Sequence, residues 1–114
     1  MALEIIQPNI RQKMRYVRID STGRISYSSM SVDTIRLSVS ERVLFAMDGK
    51  KFYLRKDAGG FPVITNKRSF YSHSKGLYDK ITMAFGPSKS YVFLVSAKPI
   101  VVEGTEWYAL ILKK

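Results

Sequence analysis

Val17-Arg18-Ile19-Asp20-Ser21-Thr22-Gly23-Arg24-Ile25, then Ile35-Arg36-Leu37, Glu41-Arg42-Val43-Leu44-Phe45 and Asp48-Gly49-Lys50-Lys51-Phe52-Tyr53-Leu54-Arg55-Lys56, carry the most regular pattern in the chain. Arg15, Val17 and Ile19 alternate with Tyr16 and Arg18, the two-residue period of a strand. Asp20 to Gly23 supplies turn residues. Ile25 and Tyr27 then alternate with Arg24, Ser26 and Ser28, a second strand with one apolar and one polar face. Ser29 to Arg36 predicts a short helix, weakened by its serines and β-branched residues. Val43, Phe45 and Met47 mark one strand face. Asp48-Gly49 is a hairpin turn signal, and Phe52 and Leu54 continue the apolar face opposite Lys51, Tyr53 and Arg55.

Outward from this stretch the pattern is thinner. Met1 to Lys13 lacks periodicity and contains Pro8, so it reads as an arm or edge segment. Asp57 to Gly60 is a loop. Phe61 to Thr65 predicts a short strand, placed at an edge by Pro62, and Asn66 to Ser72 is polar and basic. The best helix spans Ser74 to Phe85: Ser74 can cap it, Leu77, Ile81 and Phe85 form one stripe, and Gly86-Pro87 ends it. Ser90 to Ala97 carries apolar residues on both faces, as a central strand does. Pro99 to Val102 and Trp107 to Leu112 are further strands about the Glu103–Glu106 turn. No linker, low-complexity tract or long repeat stands out. The expected fold is α+β: five to seven mostly antiparallel strands with one main helix at about 74–85, in a single domain over 1–114.

The 114 residues match one domain, since domains commonly hold about 100–150. A hydrophobic fraction of 46% with 25% charged residues fits a soluble globular protein. No apolar run approaches the roughly 18 residues of a membrane span, and Met1 to Ile6 lacks the pattern of a secretory leader. With no cysteine, disulfides, thiolate metal sites and cysteine nucleophiles are excluded, and a reducing, cytoplasmic location is expected. The net charge of +10 is the second strong feature. It is spread evenly over both halves of the chain, so a phosphate-binding surface would belong to the folded body. Such a field attracts polyanions, of which nucleic acid is the commonest. The alternatives are solubility alone or an acidic protein partner.

Gly23-Arg24-Ile25, Ile35-x-Leu37, Glu41-x-Val43 and Phe52-Tyr53-Leu54 stand in the order and spacing of the AbrB/SpoVT/MazE-type swapped-hairpin DNA-binding domains. The chain resembles that family over roughly residues 15–56, as a hairpin layer to which residues 61–114 add a strand, a helix and a hairpin. Three positions depart from the family pattern. Ser26-Tyr27-Ser28 replaces a proline after Gly-Arg-Ile, Ser40-Glu41 replaces Gly-Asp, and Val32-Asp33 occupies the place of basic residues on the linking helix. The resemblance implies an intertwined homodimer, because one hairpin layer cannot bury its own apolar face. Alternatively, the second half of the chain covers that face within one subunit.

Two hairpins and one loop hold the candidate contacts. Arg18 and Arg24 flank the Asp20–Gly23 turn and suit phosphates or guanine edges; Arg24 matches the family's Gly-Arg position. Their ordinary role would be solvated hairpin charges, with Asp20 as a partner. Lys50, Lys51, Tyr53 and Arg55 gather on the second hairpin, a basic face with an aromatic that suits a phosphate backbone or stacked single-stranded bases. Edge protection by charge explains the same pattern. Lys67 and Arg68, beside Phe70, Tyr71 and His73, precede a helix whose free N–H groups favour anions; a surface loop with its aromatics turned inward is the plainer alternative. Trp107 reads as core. One unsupported histidine makes neither a metal site nor a catalytic base, so no enzyme, metal or cofactor is expected. The expected function is a small DNA-binding protein, regulatory or DNA-sequestering. The alternatives are a single-stranded nucleic-acid binder and a structural or interaction module.

Overall fold

The computed structural model describes residues 14–66 and 69–113. In chain order the elements are β1 (Tyr16–Asp20), β2 (Arg24–Tyr27), α1 (Ser29–Ile35), β3 (Arg42–Asp48), β4 (Lys51–Lys56), β5 (Phe61–Pro62), β6 (Ile64–Asn66), β7 (Ser69–His73), α2 (Lys75–Phe85), β8 (Ser90–Val95), β9 (Ile100–Val102) and β10 (Thr105–Leu112). All strand pairs are antiparallel, in the order β5-β3-β4-β10-β8-β1-β2-β7-β6, with β9 on β10 alone. The ends of this path, β5 and β6, are separated in the chain by Val63 only. One bent segment thus joins both edges, and the sheet is a nearly closed barrel.

This corrects the α+β expectation. Among the described residues ten strands stand against two short helices, and the sheet dominates. The largest difference lies in the stretch Asn66 to Ser72, which reads as polar and basic with no strand: Asn66 ends β6 and Ser69–His73 form β7. Alternation is present there, but one of the two inward positions, next to that of Phe70, carries a serine. Ser72 is fully buried; it accepts from the Tyr27 hydroxyl and donates to the Pro62 carbonyl. A satisfied inward serine hides a strand from any apolar-periodicity reading.

A second finding absent from the sequence reading is an internal repeat of order. Residues 16–56 run strand, strand, helix, strand, strand; β6, β7, α2, β8 and β10 run the same way, with β9 added before the last. Ser28 and Ser74 cap the two helices by accepting the backbone N–H three residues on. Ser31 and Leu77 are buried at matching places, and so are Ile35 and Ile81 one turn later. Around the barrel the hairpins alternate by half: β3–β4, then β10–β8, then β1–β2, then β7–β6. The two halves therefore interleave within one chain. Val17, Ile19, Ile25, Val43, Phe52 and Leu54 are at most 2% exposed. The apolar face for which a second subunit was expected shares one core with Val63, Leu77, Ile81, Tyr91, Phe93, Val95 and Leu110 of the same chain.

Aromatic rings fill the interior, with Phe93 meeting Phe52 at 4.9 Å and Phe85 at 5.4 Å. Because β2 and β7 are antiparallel and each leads into a helix, α1 and α2 leave from opposite ends of the barrel. The β1–β2 turn seats on the start of α2. Ser74 N–H donates to the Gly23 carbonyl, and a Cβ on Gly23, whose φ is +88°, would fall 2.6 Å from the Lys75 nitrogen. Only glycine fits there, which gives Gly23 of the Gly-Arg pair a packing reason of its own.

Candidate nucleic-acid interface

Strand alternation sends Arg18 and Asp20 of β1, and Arg24 and Ser26 of β2, to the outer surface. Arg18 lies opposite Ser26, so Arg18 and Arg24 are diagonal neighbours on one face. Across the next pair Arg24 stands opposite His73, and Ser26 opposite Tyr71. The Arg24 guanidinium rests over the Tyr71 ring at 4.5 Å. Among the described residues neither Arg18 nor Arg24 forms an ion pair. Two groups far apart in sequence thus become one outer face of β1, β2 and β7: Arg18, Arg24, Tyr71 and His73. Phe70 turns inward and packs on the core, but Tyr71 does not, so the inward-aromatic reading holds for one ring only. Lys67 and Arg68 lie outside the described residues.

The turn carrying this pair is built by Asp20. Its Oδ1 accepts from the Thr22 hydroxyl and from the N–H groups of Thr22 and Arg24. The Thr22 hydroxyl above all, then those N–H groups and nearby Arg18, hold the Asp20 carboxyl below its ordinary range against the opposing effect of burial. A lowered native value means that the stabilisation is complete above the unfolded value and is lost as pH falls through the native one. Amide-exchange protection at Thr22 and Arg24 should therefore fall selectively below the usual carboxylate range, ahead of the barrel strands. Equal loss throughout would remove this role from Asp20.

The second hairpin sits elsewhere. Its strand β4 pairs with β10, and β8 separates that pair from β1. The loop is Gly49-Lys50, with Asp48 opposite Lys51 as its last pair and Gly49 at φ +61°. Lys50 and Lys51 are exposed and Tyr53 is half-buried. Arg55 is committed within the protein: it bonds Asp57 at 2.6 Å and stacks on Trp107 at 4.9 Å. Trp107 is half-buried against Arg55 and Tyr53 on the outer side, and not in the core as its apolar neighbours suggested. Lys56, beside this set, is likewise held by Glu41 and the Arg36 carbonyl.

The eight sequence candidates therefore divide. Arg18 and Arg24 share one face, Lys50, Lys51, Tyr53 and Arg55 another, and Arg55 has the least to offer a ligand. The start of α2 is also less open than the sequence suggested. Ser74 caps Leu77 N–H, and Lys75 reaches over the turn to the Ser21 carbonyl. Tyr71 was the residue missed as a partner for Arg24. Its signal was the alternation Phe70-Tyr71-Ser72, masked by the serine. No family model matches the chain, and no curated protein or solved structure is significantly similar to it.

Proposed function

We propose that the protein binds DNA through the outer face of β1, β2 and β7, and regulates or sequesters it by occupancy. The observation carrying this reading is Arg24 laid on Tyr71 beside Arg18, without a carboxylate on either guanidinium among the described residues. A guanidinium stacked on a ring keeps its N–H edge directed outward, where it can meet phosphate oxygens or a guanine edge. The +10 net charge supplies attraction at long range. The resemblance of the Gly23-Arg24 hairpin to AbrB/SpoVT/MazE-type domains adds support for duplex DNA. The linking helix α1 is left out of this reading, since Ser29–Ile35 holds no Lys or Arg.

Arg24→Ala should weaken duplex binding and reduce the magnitude of the log-affinity salt slope by about one unit, the share of one phosphate contact. Arg55→Ala, already bound to Asp57, should change that slope far less. Fluorescence anisotropy with duplex, single-stranded DNA and RNA at about 50 and 200 mM salt reads both effects. No binding to any of the three at the lower salt would end the nucleic-acid reading and leave an acidic protein partner as the better one.

A further inference from the structure

The tips of two hairpins, β3–β4 and β9–β10, enclose an outer groove of about 380 Å³ lined by Met47, Asp48, Tyr53, Val102, Glu103 and Trp107, with Ala46 completing the wall. Tyr53 and Trp107 stand 6.4 Å apart at 53°, so two ring faces converge without stacking on each other. One side of Trp107 is already taken by Arg55. Glu103, at φ +50° in the β9–β10 turn, and Asp48 bring carboxylates to the rim. Lys50 and Lys51 stand beside Asp48, and Asp57 holds Arg55, so local charge is balanced. A balanced groove favours neither a phosphate chain nor a bare cation. It suits a flat neutral group with hydrogen-bond donors along one edge. Guanine has that form, since its adjacent N1–H and N2–H groups match the two oxygens of one carboxylate.

We propose that this groove is a binding site for an unpaired guanine, stacked on Tyr53 and Trp107 and held at its donor edge by Glu103 or Asp48. The ligand class extends the nucleic-acid reading, while the site lies on a different face from Arg18 and Arg24. A base stacked on an aromatic platform loses about tenfold in affinity when one ring is removed.

Trp107 is the only tryptophan in the chain, so its indole N–H gives one resonance that reports this groove. The full chain is titrated with guanosine monophosphate, its deoxy form and uridine monophosphate, which carry equal phosphate charge. The expected result is a saturable indole shift with both guanine nucleotides, several-fold weaker with the uridine one and weakened about tenfold by Tyr53→Ala. Glu103→Gln combined with Asp48→Asn should bring guanine and uridine affinities together. Equal ribo and deoxy affinities assign recognition to the base, and a ribo preference assigns it to RNA. No saturable shift, no preference for guanine in the wild type, or a shift unchanged by Tyr53→Ala would overturn the proposal. Duplex anisotropy is read separately: its loss with the indole shift intact removes the Arg18–Arg24 face alone, and the converse removes the groove alone.

Discussion

Ile81→Asp should lower stability by about 3 kcal/mol or more, because it places an unpaired carboxylate where Ile81 is fully enclosed. Ile81 lies on the face of α2 that closes one end of the barrel, with Leu77 buried one turn before it and Phe85 packed on the core one turn after. For a domain of this size the loss corresponds to a fall in melting temperature of roughly 10 °C or more. Met83 provides the internal comparison. It sits on the same helix but is 87% exposed, so Met83→Asp should leave the melting temperature nearly unchanged. Equal effects from the two substitutions, measured by thermal unfolding, would show that α2 does not pack through that face.

The second large effect is expected at the seam of the barrel. A Cβ on Gly60 would fall 2.3 Å from the carbonyl carbon and oxygen of Val43 and 2.6 Å from the nitrogen of Leu44. These are backbone atoms of β3, so no side-chain rotation relieves the clash. The strand that must move is the one that β5 pairs with to close the sheet. Arg42 also reaches the Gly60 carbonyl, at 3.2 Å. Gly60→Ala should therefore cost about 2–3 kcal/mol, in the range of core overpacking. Gly59→Ala meets only the Asp57 carboxylate, at 3.3 Å, and should cost well under half as much. The urea midpoints of the two variants make the comparison, and similar midpoints would mean that β5 is not held against β3 this closely.

Much of the fold was legible where side chains obey a simple period. The β1–β2 and β3–β4 hairpins, the central position of β8, the edge position of β5 and the helix capped by Ser74 all follow from alternation, turn residues and capping chemistry. What remained hidden has identifiable causes. Strand β7 faces the core through Phe70 and Ser72, and the serine, whose polar group is satisfied by Tyr27 and Pro62, breaks the apolar alternation. The repeat of order between the halves is masked because matching places hold different residue types, as with Ser31 and Leu77. The two-residue β3–β4 loop also corresponds to a connection that contains all of β9. Trp107 was misplaced because its strand is apolar on both faces while β10 leaves the barrel to pair with β9. At the candidate interface Arg18 and Arg24 could be paired from the hairpin alone. Their partner ring on Tyr71 could not, because it arrives from a strand that the sequence did not announce.

If one chain closes this barrel and the proposed β1–β2–β7 face meets DNA, the contact is readable residue by residue. The most direct measurement is a nuclear magnetic resonance titration of the isotopically labelled full chain with a short duplex, following every assigned amide. Shifts should concentrate at Arg18, Thr22, Arg24, Ser26, Tyr71 and His73 and fade as salt is raised, with little change in β4 and β10. Shifts confined to β4 and β10, or none at a duplex concentration well above that of the protein, would contradict the account.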